Sequence, residues 1–145
     1  MHLKPTRVAP LLFLALLSTP LFAQKLTWDP FLDTLQQRTF LFFWDCTDPN
    51  TGLTPDRYPT LTFSSTAAIG FALTSYGIGA ERGYVTRTQA GQRVLTTLKH
   101  LWNEPQGVAA EGCAGYKGFF YHFLSFQKGT RFAKDVELSS IDTGL

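Results

Sequence analysis

Apolar residues recur at Trp28, Phe31, Leu32, Leu35, Phe42 and Phe43, close to the 3.6-residue period of a helix. Asp29-Pro30 opens that stretch as an N-cap followed by proline at the first helical position, where the missing N–H removes no intrahelical hydrogen bond. Phe40, Leu41 and Trp44 make its last turn apolar all round, which predicts a buried helix end. A second helix is expected from Ser64 or Ser65 to Tyr76, where Ala67, Ala68, Gly70 and Ala72 interleave with Ile69, Phe71 and Leu73 and no charge intervenes. Such a helix requires cover on most sides, its small residues admit a close neighbour, and Gly77 and Gly79 are expected to end it. Thr86 and Gln89 form a capping box for a third helix, with Val94, Leu95, Leu98, Leu101 and Trp102 as its apolar stripe and an end near Pro105. Arg87, Arg93 and Lys99 fall on its wet face, and His100 reads as a surface or helix-end residue.

The rest of the pattern is irregular. The string from Asp45 to Leu61 carries Pro49, Gly52, Pro55 and Pro59, so it predicts a long loop. Loops of that length in small domains often carry function, which marks Asp56 and Arg57 as candidate site residues; the alternative is that Asp48-Pro49-Asn50 and Pro55-Asp56 merely form turns. A glycine-rich stretch from Gln106 to Gly118 leads into YKGFFYHFLSF, where apolar residues are nearly continuous. A short strand is expected there, paired through the turn at Lys128-Gly129-Thr130 with the segment that follows. In ELSSIDTGL, Ser139 followed by Asp142 announces a fourth helix, of which the sequence supplies one turn.

Ahead of all this, Val8 to Phe22 is an apolar run without an acid, preceded by Lys4 and Arg7. It predicts a secretory signal peptide cut after Ala23, leaving a domain from 24 to 145 in the periplasm or outside the cell, with no stable membrane anchor after cleavage. With Pro10 and Pro20 inside it, the run falls short of the roughly 20 residues a membrane-spanning helix requires, although an uncleaved anchor is the alternative. The 13 Lys and Arg exceed the 11 Asp and Glu by only those two leader cations, so no basic patch points to nucleic acid. An oxidising compartment allows Cys46 and Cys113 to form a disulfide or to remain buried thiols, and their spacing fits no zinc motif.

No phosphate loop, dinucleotide fingerprint, zincin helix or serine nucleophile elbow is present. What remains is carboxylates and polar groups set among 13 Phe, 5 Tyr and 3 Trp, a mixture suited to sugars, whose ring faces stack on aromatics while hydroxyls bond to charged side chains.

Five blocks, WDCTDPNTGLTPDR, STAAIGFALTSYGIGAERGYVTR, RVLTTLKHLWNEPQG, GYKGFFYHFL and ELSSIDT, resemble successive blocks of the glycoamylase-like family of exported bacterial proteins, which includes endo-β-1,2-glucanases. The likeness runs from about Gln36 to the end. It implies an all-α fold, here the first three to four helices of an incomplete (α/α)6 toroid with long loops and a short β-hairpin. It also implies inverting hydrolysis of a β-linked glucan, β-1,2-glucan favoured, without metal or organic cofactor. The same resemblance places ELSSIDT at the sugar cleft and further acidic residues beyond Leu145, so the chain is expected to be catalytically incomplete. Cys113 in the glycine-rich loop departs from the family, as does Gly144, which disfavours the fourth helix by about 1 kcal/mol relative to Ala.

Inversion requires an acid and a base about 6.5–9.5 Å apart. Glu137 and Asp142 are the candidate pair, and they can converge only if Glu137 precedes the fourth helix and Asp142 lies in its first turn. Their structural alternatives are a salt bridge from Glu137 to Lys134 or Arg131 and a capping role for Asp142. Lys117 and His122 are candidate ligands of sugar hydroxyls, and Tyr116 and Tyr121 candidate stacking platforms, against the alternative that these are core residues; Glu81 and Arg82 are expected to pair structurally. Two other outcomes stay open: a non-catalytic glycan-binding or structural helical module, and a truncated, non-functional fragment.

Overall fold

The computed structural model describes residues 29–144. The leader run, the cut after Ala23 and Trp28 lie outside the described residues. Asp29 caps the first helix, α1 (Pro30–Cys46), by accepting from the Phe31 N–H at 2.8 Å, with Pro30 at the position the sequence assigns it. Its burial is uneven. Phe40 is buried and Phe43 and Trp44 are half-buried, whereas Leu41 is exposed, as are Phe31, Leu32 and Leu35 in the first turns.

A three-residue strand, β1 (Phe63–Ser65), runs directly into α2 (Thr66–Glu81), where the Ser65 hydroxyl accepts from Ala68 N–H at 3.1 Å. Here α2 continues five residues past Tyr76 instead of ending at its glycines. The reason is tertiary: a Cβ on Gly79 would lie 2.1 Å from the Phe40 ring, so this glycine admits α1 rather than stopping the helix. Ile69, Gly70, Ala72, Tyr76 and Gly79 face inward. The expected cover on most sides is not complete, since Phe71 and Ile78 stay exposed.

The next helix, α3 (Arg87–Asn103), begins at the capping box of Thr86 and Gln89. The expected stripe divides: Val94 and Leu101 are half-buried, while Leu95, Leu98 and Trp102 face outward. Arg93 leaves the wet face assigned to it. Its guanidinium lies 4.4 Å over the Trp44 ring and donates to the carbonyls of Trp44 and Thr47, satisfying acceptors that the end of α1 leaves open. Glu81 pairs with Arg87 across the α2–α3 turn.

The loop between α1 and β1 is anchored. Leu53 and Thr54 are fully buried, the Thr47 and Thr54 hydroxyls share a 2.7 Å hydrogen bond, and Gly52 (φ +74°) sits so tightly on Thr97 of α3 that a side chain has no room.

After α3 comes a hairpin of β2 (Gly115–Tyr116) and β3 (Phe119–Phe120), then β4 (Phe123–Ser125) and the single turn of α4 (Ser140–Thr143). Lys117 and Gly118 both have positive φ, as the type I′ two-residue hairpin turn requires. The pairing of β4 adds to the expectation. It does bond through the 128–130 turn to the segment that follows, with the Ser125 N–H on the Thr130 carbonyl, the Phe132 N–H on the Phe123 carbonyl and Leu124 bridging Arg131, but its ladder partner is β1, antiparallel with Ser64 opposite Leu124. A strand as short as Phe63–Ser65, fused to a helix start, carries too little alternation to be read from sequence.

Two apolar cores result. One joins Leu53, Ile69, Ala114, Tyr121, Leu124 and Val136, and the other Phe40, Ala72, Tyr76 and Ala90; α2 belongs to both. About half of the described residues are helical and the sheets have two strands each. Cys46 and Cys113 are free thiols. Among the described residues no helix is long and apolar enough to cross a membrane.

Candidate functional site

The candidate residues of the C-terminal half meet where two extended stretches lie side by side. The His122 N–H donates to the Glu137 carbonyl at 2.9 Å, Tyr121 bridges Leu138, and the Ser139 N–H donates to the Phe120 carbonyl at 3.0 Å. On the other side of the chain, Thr66 at the start of α2 donates its N–H to the His122 carbonyl and its hydroxyl to the Tyr121 carbonyl. Backbone bonds from two elements therefore fix His122 before its side chain makes any contact.

The imidazole then sits between two carboxylates. Nδ1 is 2.7 Å from Glu137 Oε1 and Nε2 is 3.3 Å from Asp142 Oδ2. Ser139 orients Asp142 by accepting from its N–H at 3.2 Å, so Asp142 occupies the first turn of α4 and Glu137 precedes the helix. Both contacts are attractive together when both ring nitrogens carry hydrogens, because an ionised carboxylate only accepts. The ring stacks on Phe123 at 4.0 Å.

The exposures differ in a way that matters: the Glu137 side chain is 66% exposed and that of Asp142 16%. The His122 hydrogen bond, supported by the Glu137 backbone N–H, holds the Glu137 carboxyl below the usual carboxylate range against a smaller opposing effect of desolvation. Glu137 is thus a poor proton donor near neutral pH. Its partner is His122 and not Lys134 or Arg131; Arg131 instead donates to the Val136 carbonyl and lies 4.2 Å over the Tyr121 ring.

An imidazole and two polar contacts separate Glu137 from Asp142, and the ring fills the gap in which an inverting pair, about 6.5–9.5 Å apart, would hold water and the anomeric carbon. The two nitrogens face different directions, so the carboxylates do not converge on one ion; among the described residues no group of three His, Cys, Asp or Glu is placed to hold a metal.

Other sequence candidates lie elsewhere. Tyr121 is buried, with its hydroxyl donating to the Gly107 carbonyl at 2.9 Å and Arg131 over its face, so it is a core residue and not a stacking platform. Tyr116 is half-buried in the β2–β3 hairpin, with the Lys117 ammonium 5.2 Å over its ring at the exposed tip. Asp56 and Arg57 pair with each other at 3.0 Å, and Arg57 lies over Phe63. Phe63 in turn packs on Phe123 at 4.9 Å, which links that loop to His122 through an aromatic wall and not through polar contact.

A groove of about 710 Å³ went unread in the sequence. Glu111, Gln127, Lys128, Arg131, Phe132 and Lys134 are among its lining residues, and neither Glu137 nor Asp142 is. The clue was available in QKGTRFAKD, which reads as a turn but concentrates cations around one phenylalanine.

Comparison with known proteins agrees with the motif resemblance. No family model matches the chain. An exo β-1,2-glucooligosaccharide sophorohydrolase of Parabacteroides distasonis is 34% identical over 77 residues, which is 52% of this chain and 11% of that protein. A β-1,2-glucanase structure from the same organism superposes with a TM-score of 0.57 and 28% identity over 68% of this chain and 13% of the other. A Bacteroides uniformis structure, provisionally assigned as a glucoamylase, gives 0.59 and 27% over 68% of this chain and 22% of the other. The chain thus spans between about a tenth and a quarter of the length of these relatives. Over that part of their length it is similar in sequence and fold to these proteins.

Proposed function

We propose that this chain contributes to an exported glycoside hydrolase that cleaves β-linked glucan, β-1,2-glucan favoured, by inverting acid/base hydrolysis. The observation that carries the proposal is His122 held between Glu137 and Asp142, in a chain resembling enzymes named for β-1,2-glucan cleavage. The corresponding architecture is part of an (α/α)6 toroid, with α1, α2 and α3 as its first helices. Glu137, kept ionised by His122, suits activation of water or acceptance of a sugar hydroxyl. Asp142 is left with the proton-donating role, which requires the imidazole to swing out of the gap when sugar enters.

Reducing ends released from linear β-1,2-glucan by the hydrolase that contains this chain test this directly. Glu137→Gln and Asp142→Asn are each expected to lower release by about 10²- to 10⁴-fold, the range general acid–base catalysis supplies. A second proposal, a glycan-binding module without catalysis, is favoured by the imidazole occupying the gap and by a groove that excludes both carboxylates. Binding without release by wild type and variants alike supports the module and ends the hydrolase proposal.

A further inference from the structure

We infer that the groove beneath the 125–134 turn is a binding site for a short β-glucan oligosaccharide, with Phe132 as its stacking platform; the inference rests on the β-glucan reading above. Two loops build its walls, one around Ala110–Gly112 and the other from Ser125 to Lys134. One bond ties them, the Arg131 N–H donating to the Cys113 carbonyl at 2.7 Å, and the second loop is closed on itself by the Ser125 N–H donating to the Thr130 carbonyl at 2.7 Å. The turn itself is seated on α3, because Gly129 (φ +73°) is buried so close to His100 that a Cβ would lie 2.5 Å from Nε2. The groove is therefore a fixed feature of the fold, and its volume falls within the roughly 300–1,000 Å³ typical of small-ligand sites.

Its chemistry selects the ligand class. Lys128 and Lys134 offer donors, Glu111 an acceptor and Thr130 both, which matches hydroxyls that donate and accept at once, while the Gln127 amide already donates to the Leu61 carbonyl. An anion alone would gain nothing from Glu111. The third cation, Arg131, is already engaged by Tyr121 and the Val136 carbonyl, so the groove is less basic than its composition suggests. Phe132 supplies the apolar face: it is 44% exposed, and its ring packs 4.9 Å from Phe63, which holds it in place. Since Phe63 also packs on Phe123, and Phe123 stacks on His122, one aromatic wall joins the groove to the carboxylate–imidazole–carboxylate group. A glucan lying along this wall would be gripped at the groove and reach toward Glu137 and Asp142.

Amide chemical-shift mapping of the full chain with sophorotriose, a β-1,2-linked glucose trisaccharide, tests the site. Perturbations are expected at residues 110–112 and 125–134. Phe132→Ala is expected to weaken binding about fivefold or more, the loss of one well-packed aromatic contact, while Phe132→Tyr stays within about twofold of wild type. Lys134→Ala, an exposed change that leaves the fold alone, is expected to weaken binding about tenfold, the loss of one hydrogen bond to a charged donor. Perturbations confined to the neighbourhood of His122, with Phe132→Ala and Lys134→Ala binding as wild type, overturn the groove while leaving the β-glucan reading standing. Response to inorganic phosphate but not to the trisaccharide makes the groove an anion site and overturns the inference. No perturbation by sugar anywhere in the chain ends both.

Discussion

At the scale of single residues, the bond between His122 and Glu137 does the most to define the site, and it has a measurable signature. Because it lowers the folded pKa of Glu137, its contribution to stability is fully present above the usual glutamate range and is lost as pH falls through the lowered value. A carbon-detected NMR titration is expected to give Glu137 a midpoint below that of an unconstrained glutamate, and His122→Ala should return it toward the ordinary value. An unchanged midpoint in His122→Ala would show that the hydrogen bond is not the cause. The positions of Glu137 and Asp142 on either side of Ser139 were legible in the sequence, since a cap fixes them locally. Their shared partner was not: His122 is 15 residues from Glu137 and 20 from Asp142, and only the pairing of 120–122 with 137–139 brings them together. Tyr121 shows the converse. In a continuous apolar string, alternation assigns Tyr121 inward and His122 outward only once a strand direction is known.

At the scale of elements, the starts of α1 and α3 were readable because Asp29-Pro30 and the Thr86–Gln89 box act within a few residues of themselves. Helix ends and strand partners depended on contacts far away in the chain. Gly79 is the clearest case, since its meaning lies in the Phe40 ring and not in helix propensity. Gly79→Ala would ordinarily favour a helix by about 1 kcal/mol. Here it is expected to destabilise the chain by about 1–3 kcal/mol, because α1 and α2 must separate to accommodate the methyl group. Gly77→Ala, which meets no neighbour at that position, is the internal control and is expected to be neutral or stabilising. Urea melts of the two variants check the contrast, and equal midpoints would remove the close-approach argument. Gly129→Ala is expected to be destabilising too, through both its left-handed backbone and its contact with His100, and to loosen the turn that carries Lys128 and Thr130 into the groove.

Across the whole molecule, helices with two apolar faces leave one of them uncovered. Phe31, Leu32 and Leu35 of α1, Phe71 and Ile78 of α2, and Leu95, Leu98 and Trp102 of α3 are all between 42% and 88% exposed. The all-round apolar character of α2 and the stripe on α3 were visible in the sequence, but which side each helix buries follows from how α2 is shared between the two cores. Isolated exposed leucines are ordinary on protein surfaces, whereas neighbours repeated along a helix form patches that attract other apolar surfaces. Leu98 and Trp102 are four apart, one above the other on α3, and Leu95 lies one turn before Leu98, so together they form such a patch. The full chain in solution is therefore expected to associate with rising concentration and to enhance the fluorescence of an apolar dye. The double variant Leu98→Lys with Trp102→Gln should suppress both effects while keeping the helical circular dichroism, since neither side chain belongs to a core. Loss of helicity in that variant would mean that the outer face of α3 supports the fold. Unchanged association would place the sticky surface on α1 or α2, where Leu35→Lys and Phe71→Gln are the corresponding substitutions.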